Sequence, residues 1–244
     1  ALQNCQKDNS QGNNAQLSMT SNNGRRGFLL RSVSLLRRTF ISISRDFEYN
    51  GARVGALFIM SLILGAVYSR SVNILVSGDL QTRMGMWFTA LSFSATVHFA
   101  TALPAAFSRR AVFNRECRAS QMYAPEAFGI AVLVSEIPWI IGSIALFSAI
   151  FYSLAQGLEG AFSNFFINTF LLSLSFNALA HLLASLAPSS YAAQVLGYFA
   201  IGLYVLFGGL FVTASAIPSG LRFLFLLNPM RHAFFSVSAT QFYC

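Results

Sequence analysis

The sequence predicts an all-α polytopic membrane protein of about five transmembrane helices preceded by an amphipathic helix. Three observations predict it. Residues 160 to 221 form a run of 62 without Asp, Glu, Lys or Arg, whereas charged side chains are what keep a soluble domain's surface in water. Hydrophobic residues make up 55% of the 244 and charged residues only 10%, with a mean hydropathy of +0.57, a balance foreign to soluble globular domains. Apolar stretches near the length of one helical bilayer crossing, about 20 residues, also recur between Arg and Glu residues.

The elements follow in order. Residues 1–26 are rich in Asn, Gln, Ser and Gly. Such a segment cannot bury enough apolar surface to offset the entropy of ordering it, so it reads as a disordered linker. Residues 27–50 interleave Phe28, Leu29, Val33, Leu35, Leu36, Phe40, Ile43 and Phe47 with Arg31, Arg37, Arg38 and Arg45. That is the pattern of a basic amphipathic helix on a membrane surface.

A transmembrane domain is expected over 51–213. Its first span occupies the 16 residues between Arg53 and Arg70, which is short, so both Arg side chains are expected to snorkel to the interfaces. The second occupies the 25 residues between Arg83 and Arg109, with His98 and Pro104 inside. The third lies between Glu126 and Glu159 and holds Glu136 and Pro138; the fourth covers 162–186 and the fifth 191–213, joined by the turn Ala187-Pro188-Ser189-Ser190. In residues 214–244 the run from Leu221 to Leu227, apolar apart from Arg222 and followed by Asn228-Pro229, is too short to cross. It reads as a re-entrant or loop segment.

Charge sets the orientation. Twelve of the 16 basic residues precede the first span or lie in the loop after the second, and Arg70, Arg83, Arg222 and Arg231 lie on the other side. The N-terminus is therefore expected in the cytoplasm and residues 214–244 outside. The same placement explains the net charge of +8 without a nucleic-acid partner.

Several function classes find no support. No G-x-x-x-x-G-K-[ST], H-E-x-x-H or G-x-S-x-G occurs, so no catalytic residue is expected here. Cys5, Cys117 and Cys244 match neither metal nor disulfide spacing, and His98, His181 and His232 do not pair as metal ligands, so no metal site is expected. A lone histidine within a span reads as a helix-to-helix hydrogen bond. The chain starts at Ala1 rather than Met and stops abruptly at Cys244, which reads as a fragment of a longer protein.

Two polar features carry the functional argument. Glu136 lies inside a span, where a carboxylate costs about 2.5–3.5 kcal/mol, so it is expected to face the bundle or a water-filled cavity, the alternative being that it snorkels to the cytoplasmic interface. Pro138 two residues on leaves a backbone carbonyl unpaired and permits a bend. The loop from Phe107 to Tyr123 mixes four Arg and Glu116 with Val112, Phe113, Met122 and Tyr123. It is longer than a chain reversal needs, and reads as a short amphipathic helix offered to a cytoplasmic partner or, alternatively, as a solvated loop on the positive-inside face.

The segment "VFNRECRASQMY" followed by "SEIPW" resembles the signature of the G subfamily of ABC transporters, which includes the white-type half transporters and the pleiotropic drug resistance transporters. "LLRRTFISISRDFEYNGARVGALFIMSLILGAVY", "GDLQTRMGMWF", "FGGLFVTASAIP" and "LNPMRHAFFSVSATQF" extend the likeness over roughly residues 28 to 243. The resemblance implies a permease of ABC-2 type in the plasma membrane, with ATP and Mg bound by a nucleotide-binding domain upstream in the same polypeptide. Residues 28–50 would be the connecting helix and 108–122 the coupling helix, with Phe113, Arg115, Glu116 and Tyr123 as its site residues. A sixth span would follow residue 244. Glu136 would belong to a polar relay from the coupling helix to the transport path.

It further implies a second transmembrane domain as partner, a hydrophobic or amphipathic small molecule as cargo (drug, lipid or sterol), and surrounding membrane lipid. Phe93, Ser94, Val97 and Thr101 of the second span, with Tyr198, Ile201, Gly202 and Val205 of the fifth, would wall the substrate cavity. Val97 stands where some relatives carry an aromatic ring, and Phe93 one turn earlier would substitute for it. Leu210 and Phe211 would form an apolar plug above the cavity, with Gly208-Gly209 letting helices approach. The alternative is a channel or secondary carrier not driven by ATP. That class favours several intramembrane charges, and only Glu136 qualifies.

Overall fold

The computed structural model describes residues 32–69, 79–119, 123–155, 161–212 and 217–242. The linker over 1–26, Arg31, Arg70, Met122, Cys5 and Cys244 lie outside the described residues. What is described is helical, with no strand among the described residues. The helices are α1 (32–45), α2 (Phe47–Tyr68), α3 (Asp79–Phe113), α4 (Pro125–Leu154), α5 (Phe162–Leu186), α6 (Ser190–Leu206), α7 (Arg222–Leu226) and α8 (Pro229–Phe242). They fall into two compact units. One holds the residues up to Ile43 with Phe113–Ser135; the other holds Ser44–Val112 and Glu136 onward.

Four of these helices, α2 to α5, are long and apolar enough to cross a bilayer, and α6 is a shorter apolar helix of 17 residues. Each boundary has a local cause. A single residue, Asp46, separates α1 from α2, and its carboxylate accepts the Tyr49 N–H at 3.1 Å as an N-cap. The expected amphipathic segment over 27–50 is therefore interrupted at Asp46. α2 has 22 residues, about 33 Å of helix. That length removes the shortfall expected of the first span: Arg53 is an interior residue of α2, not its end.

α4 opens on Pro125, at the first helical position, where the missing N–H costs nothing. α6 is capped by Ser189, whose hydroxyl accepts the Ala192 N–H at 3.2 Å. It stops at Leu206, short of the expected residue 213, because Gly209 turns the backbone at φ +94°. Asn228-Pro229 is the start signal of α8. Asn228 accepts the Met230 N–H at 2.9 Å and donates to the Tyr204 carbonyl at 2.7 Å, which ties α8 to α6.

The core of the larger unit is aromatic. Trp87 of α3 meets Phe165 of α5 at 5.2 Å and Phe151 of α4 at 5.7 Å, both edge-on, the preferred arrangement of ring quadrupoles. Gly197 of α6 packs directly on Phe99 of α3, whose ring leaves no room for a Cβ there. Arg110 donates to the Ala187 carbonyl at 2.5 Å, supplying a cation to the C-terminal end of α5. α8 is held to α5 by a polar ladder. Asn164 donates to Thr240 at 2.9 Å and Asn168 to Ser236 at 3.0 Å, the kind of bond that holds helices together where lipid offers no hydrophobic drive.

Candidate functional site

The larger unit contains a buried charge cluster centred on Glu136, which is fully buried. Arg109 Nη1 donates to its Oε1 at 3.0 Å, and Asn177 Nδ2 donates to its Oε2 at 2.5 Å. Arg53 Nη2 stands 3.5 Å from Oε2, with both side chains 1% exposed. His181 Nε2 lies 3.3 Å from Oε1 but makes no hydrogen bond there. Arg53 also donates to the Tyr49 hydroxyl and, at 3.3 Å, to Thr101 Oγ1. The Tyr49 ring carries the guanidinium carbons of Arg53 and Arg109 at 4.5 and 5.5 Å from its centroid, within cation–π range.

Four helices supply this cluster. Tyr49 and Arg53 sit four apart on α2, Asn177 and His181 four apart on α5, Arg109 near the end of α3, and Glu136 inside α4. The i, i+4 spacing places each pair on one helix face. The balance is two fixed cations against one carboxylate, so the site is electropositive. Arg53 Nη1 and Asn177 Oδ1 have no hydrogen-bond partner among the described residues. A buried network with unused polar atoms is costly as a static brace and retains bonding capacity for a rearrangement.

The expectation that Glu136 faces the bundle holds. The expectation that Arg53 snorkels does not, because the ion pair draws it inward. His98 makes the helix-to-helix bond expected of it: its Nδ1 lies 2.8 Å from the Ser94 carbonyl and its Nε2 3.1 Å from Ser143 Oγ on α4. His181 instead joins the carboxylate cluster. Sequence reasoning missed Tyr49, Arg53, Arg109, Asn177 and His181 as partners. The two i, i+4 polar pairs inside apolar helices were the signal that could have found them.

The smaller unit holds the turn after α3. There α-helix gives way to six residues of π-helix, Asn114–Ala119. The expected coupling element over 108–122 is thus, where described, an extension of α3 rather than a separate helix. Arg38 of α1 grips Glu116 with both nitrogens, at 3.1 and 2.5 Å, in the bidentate geometry that suits a guanidinium. The Tyr123 hydroxyl donates to the same carboxylate at 3.0 Å, and its ring stacks on Phe128 at 5.9 Å. Phe113 packs on Phe128 at 5.1 Å. Arg115 is exposed.

The Arg38 hydrogen bond is the main cause that holds the Glu116 carboxyl below its ordinary range, and the same bond raises Arg38. Burial, then the bond to Glu116, pushes the Tyr123 phenol up to about 12. Arg38 is the residue the sequence reading left out of this group.

The residues expected to wall a cavity separate into two sets. Phe93, Val97, Thr101 and Val205 are partly exposed, Tyr198 is 49% exposed with its ring 6.0 Å from Phe99, and Gly202 is open. Ser94 has no exposed surface and donates to the Leu91 carbonyl at 2.9 Å, and Ile201 is 6% exposed. Both point into their own unit rather than onto an open face. Of the expected plug, Leu210 packs against the core while Phe211 is 65% exposed and meets Phe88 edge-on at 5.7 Å. Gly208 admits Phe88 of α3, whose ring a Cβ would approach to 2.6 Å; Gly209 turns the chain instead of letting helices approach.

Against known proteins, residues 32–242 match the family model described as ABC-2 type transporter. ABC transporter G family member 40 of Oryza sativa subsp. japonica is 28% identical over 219 residues, 88% of this chain and 15% of that protein. ABC transporter G family member 17 of Dictyostelium discoideum is 27% identical over 218 residues, 88% of this chain and 14% of that protein. Pleiotropic drug resistance protein 1 of Nicotiana tabacum is 25% identical over 219 residues, 88% of this chain and 15% of that protein. The chain thus spans about 15% of the length of such relatives.

Proposed function

The chain belongs to the ABC-2 type transporter family, and from that we propose that it is the permease part of an ATP-driven exporter of hydrophobic or amphipathic compounds in the plasma membrane. ATP and Mg would be handled by a nucleotide-binding domain elsewhere in the protein. A second transmembrane domain would pair with this one, and the cavity between them would be walled by Phe93, Val97, Thr101, Tyr198, Gly202 and Val205. The N-terminus and the turn around Glu116 would face the cytoplasm, as the distribution of Arg favours.

The observation that carries this reading is the buried Glu136 cluster, fed by α2, α3, α4 and α5. Polar and ionisable groups within membrane helices are costly and concentrate where helices move against one another or line a path. Here they tie four helices at one point, so that a displacement of one must reset bonds on the others. Glu116 plays a different part. With Arg38, Tyr123 and the exposed Arg115 it forms a charged surface whose pairing with a partner would be specific rather than merely adhesive.

Replacing Arg115 or Glu116 by Ala in the full-length protein tests the coupling assignment. Substrate stimulation of ATP hydrolysis should fall severalfold while surface expression stays near normal for Arg115→Ala, because Arg115 is exposed; Glu116→Ala also removes the Arg38 and Tyr123 bonds, so its expression is the control. Stimulation that survives both changes would remove this turn as the coupling element.

A further inference from the structure

Within the smaller unit an apolar groove of about 310 Å³ runs between α1 and the first turns of α4. Ser32, Val33 and Leu36 line it from α1; Ala127, Ile130, Ala131 and Val134 line it from α4. Ala131 is buried at 3% exposure and forms the floor, while Val33 and Ile130, each 62% exposed, stand as open rims. On α4 the lining recurs at 126/127, 130/131 and 134, a single stripe along one face. At 1.5 Å per residue that stripe is about 12 Å long.

One end of the stripe is different. Glu126 lines the groove, is exposed, and makes no hydrogen bond or ion pair among the described residues. The rest of the α4 lining is aliphatic. The occupant that fits is a hydrocarbon chain with a hydrogen-bonding cation at one end. α4 is long and apolar enough to cross a bilayer, and Glu126 is in its first turn, so the charged end of the groove lies at one end of a candidate span. At 30 residues, about 45 Å, α4 is longer than the roughly 30 Å hydrocarbon core, so the groove starts in the headgroup zone and its Val134 end reaches toward the acyl chains.

We propose that this groove is a lipid site holding one acyl chain of a phosphatidylethanolamine molecule, with the ammonium group donating to Glu126. A primary ammonium offers three N–H donors to the carboxylate and gains a charge-assisted hydrogen bond. The trimethylammonium of phosphatidylcholine has none, and phosphatidylglycerol carries no cation. Selection is by the headgroup, and the groove supplies chain burial common to all three.

The test uses the full-length protein equilibrated with equal amounts of phosphatidylethanolamine, phosphatidylcholine and phosphatidylglycerol. Retained lipid is then counted by native mass spectrometry. Phosphatidylethanolamine should be retained about three- to fivefold over phosphatidylglycerol, the scale of one partly exposed charge pair. Glu126→Gln should abolish that preference with thermal stability unchanged, because the side chain is exposed and unpaired. Val134→Trp, which fills the groove, should lower retention of all three. Equal retention of the three lipids by the unaltered protein, a preference that survives Glu126→Gln, or retention unaffected by Val134→Trp would each overturn the proposal. The readout involves no transport or ATP hydrolysis, so it stands or falls apart from the export reading.

Discussion

A carboxylate at Glu136 is tolerable in a membrane helix only because Arg109 and Asn177 bond it and Arg53 faces it within 3.5 Å. Removing one partner of a buried pair leaves the others uncompensated, which typically costs about 3–5 kcal/mol. Glu136→Gln keeps the size and the bond to Asn177 but leaves two guanidinium groups without a counter-charge. It should lower the thermal stability of the detergent-solubilised full-length protein by an amount in that range. An unchanged melting transition would mean that the cluster is not held by charge. The glutamate itself was legible in the sequence as a carboxylate stranded in an apolar span. Its partners were not, because Arg109 and Asn177 are 27 and 41 positions away, and because Arg53 looked like a span's edge. A polar side chain near the end of an apolar run reads the same whether it reaches out to water or inward to an ion pair.

At the scale of elements, the boundaries hidden from hydropathy are those made by capping and backbone conformation. Hydropathy alone carries the fifth span to residue 213, whereas α6 ends at Leu206. Gly209 at φ +94° accounts for the stop. An Ala there would pay about 1–2 kcal/mol for the left-handed backbone, and its Cβ would press on the Phe235 ring at 3.1 Å. Gly209→Ala should therefore destabilise the protein by at least that amount. Gly55→Ala, on an open face of α2 with nothing within 4 Å, should be neutral or slightly stabilising. Equal effects in a thermal unfolding comparison would contradict the turn assignment. The "NP" pair, by contrast, was visible as a motif but not as a cause. Only the bonds of Asn228 to Tyr204 and Met230 reveal it as a cap that joins α8 to α6.

On the scale of the molecule, the helical membrane class was fully legible, because a bilayer demands long uncharged helices and little else produces them. The proposed cavity and plug are less so, since both require a second domain that this chain does not contain. The half-buried Leu210 and exposed Phe211 leave one clear expectation. If paired plugs close the exit by excluding water, the double change Leu210→Ala, Phe211→Ala should raise leakage of substrate severalfold while basal ATP hydrolysis persists. Unchanged flux would assign Phe211 to lipid contact instead. The central claim, that this permease is driven by ATP, is tested most directly by uptake of a fluorescent amphipathic compound into inside-out vesicles holding the full-length protein. Accumulation against a gradient that requires hydrolysable ATP, and falls severalfold in Glu116→Ala with the protein still in the membrane, is the predicted result. Flux that proceeds without ATP and only down the gradient would contradict it and make the chain a channel or carrier.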